Sequence, residues 1–226
     1  MSDHEADRTP DARPVLRVGF VPGVTLRKWR TIWQERFRQV ALDVVEVGEA
    51  DQRRVLDAGE VDLCFVRLPL EGAGLHLIPL YDEVPVAWSS TDHPIAAVES
   101  VTLADLAGEV LLTEVTPDAL QQAAFADAVL LVPLSVARTH SRRDMVHRPI
   151  AEGTPTRVGL AWRVDDDHPW IDDFIGIVRG RTANSSRTTA ERAAAERAAS
   201  AGSAPAPRSR VAKPGRPANR TRGRHR

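Results

Sequence analysis

The chain is 226 residues long, 42% hydrophobic, 27% charged and 5% aromatic, a size that allows one globular domain or two small ones. No apolar run approaches the roughly 20 residues of a membrane helix, and the acidic, polar start MSDHEADRTP is unlike a secretory signal, so a cytoplasmic protein with no membrane partner is expected. A single cysteine, Cys64, excludes an internal disulfide, while the net charge of −1 hides an acidic body (18 basic and 29 acidic residues through Gly180) and a basic end (12 basic and 2 acidic over residues 181–226).

Residues 1–14 carry charge and two prolines without apolar period and read as a disordered leader. Val15 to Val21 is a short apolar run, and after Pro22-Gly23 the residues Leu26, Trp29, Trp33, Phe37 and Val40 recur at the spacing of one helical face. Leu42 to Val47 reads as a strand, Asp51 to Ala58 as a helix stopped by Gly59, and Val61 to Val66 as a third strand. Parallel neighbours need a crossover, which the helices supply, so the first unit is α/β with a parallel sheet.

Leu75 to Leu80 and Val84 to Trp88 are strand-like, and Thr102 to Ala107 reads as a short helix opened by a capping box of Thr102 and Asp105. Val110 to Leu112 is a strand. Thr116-Pro117-Asp118 opens a helix to about Asp127, with a hydroxyl at the cap, proline at the first position and a carboxylate at the positive end of the dipole. A buried strand (Val129 to Val132) turns through Pro133-Leu134-Ser135 into a short helix near Thr139; Val158 to Trp162 is a strand, and Pro169 to Val178 an amphipathic helix ended by Gly180. From about Asn184 large apolar groups are too few to offset ordering entropy, and disorder is expected there, with a marginal alanine-rich helix at Thr188 to Ser200.

Six segments, in order, resemble the effector-binding domain of LysR-type transcriptional regulators: LRVGFVPGVT (Leu16 to Thr25), VLDAGEVDLCFVRLP (Val55 to Pro69), IPLYDEVPVAWSSTDHPIA (Ile78 to Ala96), VTLADLAGEVLL (Val101 to Leu112), LLVPLSVAR (Leu130 to Arg138) and RVGLAW (Arg157 to Trp162). The resemblance covers Val15 to Gly180 and implies an α/β fold of the periplasmic-binding-protein-like type II, two Rossmann-like lobes around a ligand cleft. Residues 15–83 and 158–180 would form lobe I, residues 84–157 lobe II, and residues 181–226 a disordered basic tail. Two departures accompany it: the fourteen-residue leader has no room for the winged helix-turn-helix of such regulators, and the stretch from Leu112 to Val129 is shorter than the resemblance leads one to expect.

In an open α/β sheet, ligands lie beyond the carboxyl ends of strands, where helix starts present N–H groups. That rule selects Gly23 and Thr25 after the first strand, Arg67 after the third, Thr113 after Val110 to Leu112, and Ser135 after Val129 to Val132. The same residue types also serve plainer purposes, Thr25 and Ser135 as N-caps and Arg67 as a surface ion pair. Asp165-Asp166-Asp167-His168 reads as acids stabilising the start of the last helix rather than a metal site. Trp29 and Trp33 read as core or a subunit interface, and Cys64, in an apolar strand, as inert. No G-x-S-x-G, S-x-x-K, P-loop or G-x-G-x-x-G occurs, so neither catalysis nor a cofactor is expected.

The resemblance implies an effector-sensing module for transcriptional regulation that binds a small metabolite and self-associates or associates with related regulators, and the helix starts with Arg67 lean towards an anionic metabolite. The alternative is a nucleic-acid-associated protein acting through its tail. Lys213-Pro214-Gly215-Arg216-Pro217 partly resembles an AT-hook, and Lys213, Arg216, Arg220, Arg222 and Arg224 are its candidate contacts for non-specific, salt-sensitive binding of DNA or RNA; the plainer reading is a solubilising tether.

Overall fold

A computed structural model describes residues 13–180 of the chain. The leader expected over residues 1–14 lies outside the described residues but for its last two positions. The alanine-rich helix and the tail contacts Lys213, Arg216, Arg220, Arg222 and Arg224 lie wholly outside them.

Two sheets organise the described chain. The first contains β1 (Val15–Phe20), β2 (Ala41–Glu46), β3 (Leu63–Leu68), β4 (Leu75–Glu83) and β9 (Thr156–Arg163) in the order β2-β1-β3-β9-β4. The second contains β5 (Pro85–Ser90), β6 (Leu111–Leu112), β7 (Val129–Pro133) and β8 (Met145–Pro149) in the order β6-β7-β5-β8. The parallel pairs are β1 with β2 and β3, and β6 with β7; β9 runs antiparallel between β3 and β4. The chain passes from one sheet to the other at Val84 and returns between Pro149 and Thr156, so the two crossings lie side by side where Glu83 registers with Thr156. This is the two-lobed α/β architecture.

The strand runs are continuous because both faces of the sheet are covered. Along β3 the side chains alternate between two cores. Leu63 and Phe65 pack with α1 (Arg27–Arg36) and α5 (Ile171–Val178), while Cys64 and Val66 pack with α2 (Gln52–Asp57). Trp29 stacks on Phe65 at 4.7 Å and Trp33 meets Phe174 edge-on at 5.8 Å, which makes both tryptophans core residues. Burial pushes the Cys64 thiol up to about 12, and its fully buried side chain is inert on that account. In the second lobe α3 (Pro117–Ala124) and α4 (Leu134–Thr139) cover one face through Ala119, Ala123 and Val136.

Several local expectations hold. The Thr116 hydroxyl accepts from the Ala119 N–H at 3.1 Å and starts α3, and Gly59, at φ +65°, ends α2. Others need correction. Thr102 and Asp105 form the reciprocal capping-box bonds, at 2.8 and 3.1 Å, yet the residues after them make turns and no helix. Two backbone N–H groups satisfied by a cap do not supply the apolar face that holds a short helix. The helix after Thr116 ends at Ala124 rather than about Asp127. Strand β8 was not expected, since MVHRP offers no apolar run or alternation.

The acids before α5 also have a different task from the one expected. Asp166 pairs with Arg163 and accepts from the His168 N–H at 3.0 Å, closing a turn, while Asp172 and Asp173 occupy the first turn of α5.

Candidate functional site

The carboxyl ends of β1, β2, β3, β6 and β7 come together around a cavity of about 470 Å³ between the two sheets. The first lobe contributes Pro22, the turn Gly48-Glu49-Ala50 and Arg67; the second contributes Thr113 to Thr116, Val132, Pro133 and Val136. The lining therefore combines apolar walls from Pro22, Val115, Val132 and Val136 with a few polar groups, the composition of a small-molecule site. Its placement follows from topology: parallel strands deliver their following loops to one end of each sheet, and the two crossings hold those ends face to face.

Arg67 is the cation of this cavity and is only 4% exposed. Its Nε donates to Glu83 at 2.8 Å, one Nη to Glu49 at 2.8 Å, and the other Nη to the Pro22 carbonyl at 2.9 Å. Its backbone is clamped as well, since the buried Gln52 side chain accepts from the Arg67 N–H and donates to the Arg67 carbonyl, both at 2.9 Å. Burial disfavours the guanidinium charge, but the bonds to Glu83 and Glu49 outweigh it and hold the arginine above its ordinary value. The plain reading of Arg67 as a surface ion pair is thus corrected: the Arg67–Glu83 pair is buried on both sides, and Glu49 alone, with 56% of its side chain exposed, faces solvent.

Glu83 connects the lobes. It ends β4 in the first sheet, holds Arg67 on one side, and accepts from the Ser135 hydroxyl of α4 on the other. Beside this bond Gly23 packs against the start of α4. A Cβ on Gly23 would lie 2.5 Å from Ser135 Oγ and 2.9 Å from the backbone nitrogen of Val136, and its φ of +91° is one that side chains rarely adopt.

The five candidates are therefore not gathered in one place. Arg67 and Thr113 line the 470 Å³ cavity, and Thr113 makes no side-chain hydrogen bond among the described residues. Gly23 and Thr25 line a second cavity of about 410 Å³ with Arg27, Arg30 and Thr139. Ser135 spends its hydroxyl on Glu83. Neither Thr25 nor Ser135 is an N-cap: Leu26 precedes α1 and Pro133 precedes α4, and neither end has a side-chain cap bond.

Sequence reasoning missed Glu49, Glu83, Glu114 and Gln52. A signal existed for Glu83, because an arginine inside an apolar strand such as VDLCFVRL requires a buried counter-charge. Among the described residues no group of three or more His, Cys, Asp or Glu is arranged to hold a metal ion.

The sequence profile of the LysR substrate binding domain matches residues 11–128. The Hca operon transcriptional activator HcaR of Escherichia coli is 24% identical over 205 residues, which span 75% of this chain and 68% of that protein. The HTH-type transcriptional regulator MetR of Salmonella typhimurium is 35% identical over 89 residues, 38% of this chain and 28% of that one. Among solved structures, the effector binding domain of a BenM variant superposes with a TM-score of 0.65 at 18% identity, covering 76% of this chain and 96% of that domain. The reduced OxyR regulatory domain from Pseudomonas aeruginosa gives 0.61 at 20% identity, covering 74% and 95%.

Proposed function

Because this chain belongs to the LysR substrate binding domain family, we propose that it is the sensing part of a transcription regulator, working in the cytoplasm without catalysis. Its two lobes close on a small molecule bearing a carboxylate, and closure changes how the domain associates with a second copy or a related regulator. Arg67 and Thr113 make the ligand contacts, one from each lobe. Gly23 and Ser135 form the contact at which the lobes meet, and Thr25 serves the neighbouring cavity.

The observation that carries this reading is Arg67 itself: a buried guanidinium at the mouth of β3 that lines the cavity, joined through Glu83 to the second lobe and paired on one Nη with the solvent-exposed Glu49. A carboxylate taking that nitrogen would make a charge-assisted bond in a half-dry site, where such bonds are strongest. Relatives of known structure agree in kind, since one BenM domain holds its effector benzoate and full-length CbnR is complexed with target DNA. All eight curated relatives are named as regulators or activators of transcription.

A thermal-shift screen of metabolites tests the proposal on the full chain and on Thr113→Ala, Thr25→Ala and Ser135→Ala. The expected result is stabilisation by carboxylates that Thr113→Ala diminishes and Thr25→Ala leaves intact. Equal stabilisation of wild type and Thr113→Ala, or loss in Thr25→Ala alone, would move the site to the second cavity.

A further inference from the structure

The charges around the 470 Å³ cavity do not suit a ligand that is only an anion. Arg67 brings the one positive charge, and Glu83 already neutralises it in a pair buried on both sides. Two further carboxylates line the cavity: Glu49, whose exposed side chain holds the outward Nη of Arg67, and Glu114, which is exposed and has no charged partner among the described residues. A monocarboxylate that took the Nη now held by Glu49 would release Glu49 into the cavity that Glu114 also lines. Three carboxylates would then share a small space with one guanidinium edge, and like charges in a partly dry site repel.

We propose that the ligand is a small zwitterion of the amino-acid type. Its carboxylate replaces Glu49 on the outward Nη of Arg67, and its ammonium is held by the released Glu49 together with Glu114. Every charge then has an opposite neighbour, and the apolar walls at Val115, Val132 and Val136 receive the aliphatic side chain. Glu49 acts before binding as an internal stand-in for the ligand carboxylate, which keeps Arg67 paired while the cavity is open to water. This inference rests on the carboxylate reading of the same cavity and adds the amine.

Three five- and four-carbon probes separate the possibilities in equilibrium titrations of the full chain: norvaline, which carries both charges; valerate, which lacks the amine; and butylamine, which lacks the carboxylate. Norvaline is expected to bind about fivefold more tightly than either, the factor that an ion pair to exposed carboxylates supplies at its upper end. In Glu114→Gln the advantage over valerate should shrink, and in the double variant Glu49→Gln, Glu114→Gln it should vanish while valerate binding persists. Valerate binding at least as tightly as norvaline would overturn the zwitterion and leave the carboxylate site standing. Butylamine matching norvaline, or binding by none of the three, would overturn both. Survival of the norvaline advantage in the double variant would refute the roles given to Glu49 and Glu114.

Discussion

Gly23→Ala should separate the lobes. Two costs coincide at this position. The first is backbone strain, since a Cβ at φ +91° costs about 1–2 kcal/mol. The second is collision: the new carbon would sit 2.5 Å from Ser135 Oγ and 2.9 Å from both Cγ2 and the backbone nitrogen of Val136, and overpacking of this kind costs about 1–3 kcal/mol. Gly108→Ala supplies the comparison, because Gly108 has φ +97° and nothing within 4 Å of its ideal Cβ, so it suffers strain alone. With a urea m-value near 2 kcal/mol/M, the combined loss of about 2–5 kcal/mol lowers the unfolding midpoint by about 1–2.5 M, against about 0.5–1 M for the comparison variant. Adding Ser135→Ala to Gly23→Ala should recover only part of the loss, since the backbone nitrogen of Val136 cannot withdraw. Equal midpoints for Gly23→Ala and Gly108→Ala would mean that the lobes do not press together at α4.

Other consequences follow from the same contacts. Glu83→Ala strands the buried Arg67 with only the solvent-facing Glu49 as counter-charge, and equilibrium unfolding should show a loss of about 3–5 kcal/mol, whereas Ser135→Ala should cost about 1.5–3 kcal/mol for one hydrogen bond to a charged group. Thr116→Ala removes the cap of α3 and should cost about 1 kcal/mol in the same assay. Cys64, with its thiol pushed up to about 12 by burial, should resist a thiol reagent at pH 8 in the native protein and react on unfolding. His147 is held below its ordinary value first by burial and then by Arg138 and Arg148. The unfolded chain therefore binds its proton more readily, so this histidine's contribution to stability is present above the unfolded value of about 6.5 and is lost as pH falls through the lower folded value. NMR titration of His147 should give a midpoint below 6.5, and His147→Gln should flatten the stability profile on that acidic side.

The elements that could be read from the sequence are those buried on both faces. β3 and β7 appear as runs because each residue faces one core or another, and α3 announces itself because its cap, proline and acid act locally. β8 could not be read, since its MVHRP segment becomes a strand only by pairing with β5 through residues over fifty positions away in sequence. Thr102 shows the opposite failure, a local signal whose bonds form without the helix. At the site, the rule of strand carboxyl ends located Arg67 and Thr113 in one cavity, because that rule depends on topology alone. Thr25, selected by the same rule, lines the second cavity and Ser135 bonds to Glu83, because which side of a loop faces which space is decided by the way the lobes meet. Glu83 is invisible to spacing: its partners lie 16 and 52 residues away, and only the side-by-side crossings bring them together.

Backbone-amide NMR of the full chain titrated with valerate addresses the cleft directly. The amides of Glu49 and Arg67 in the first lobe and of Thr113 and Val136 in the second should shift together with one common midpoint. Shifts confined to one lobe, or centred on Thr25, Thr31 and Thr139 around the second cavity, would show that ligand does not enter between the sheets at Arg67.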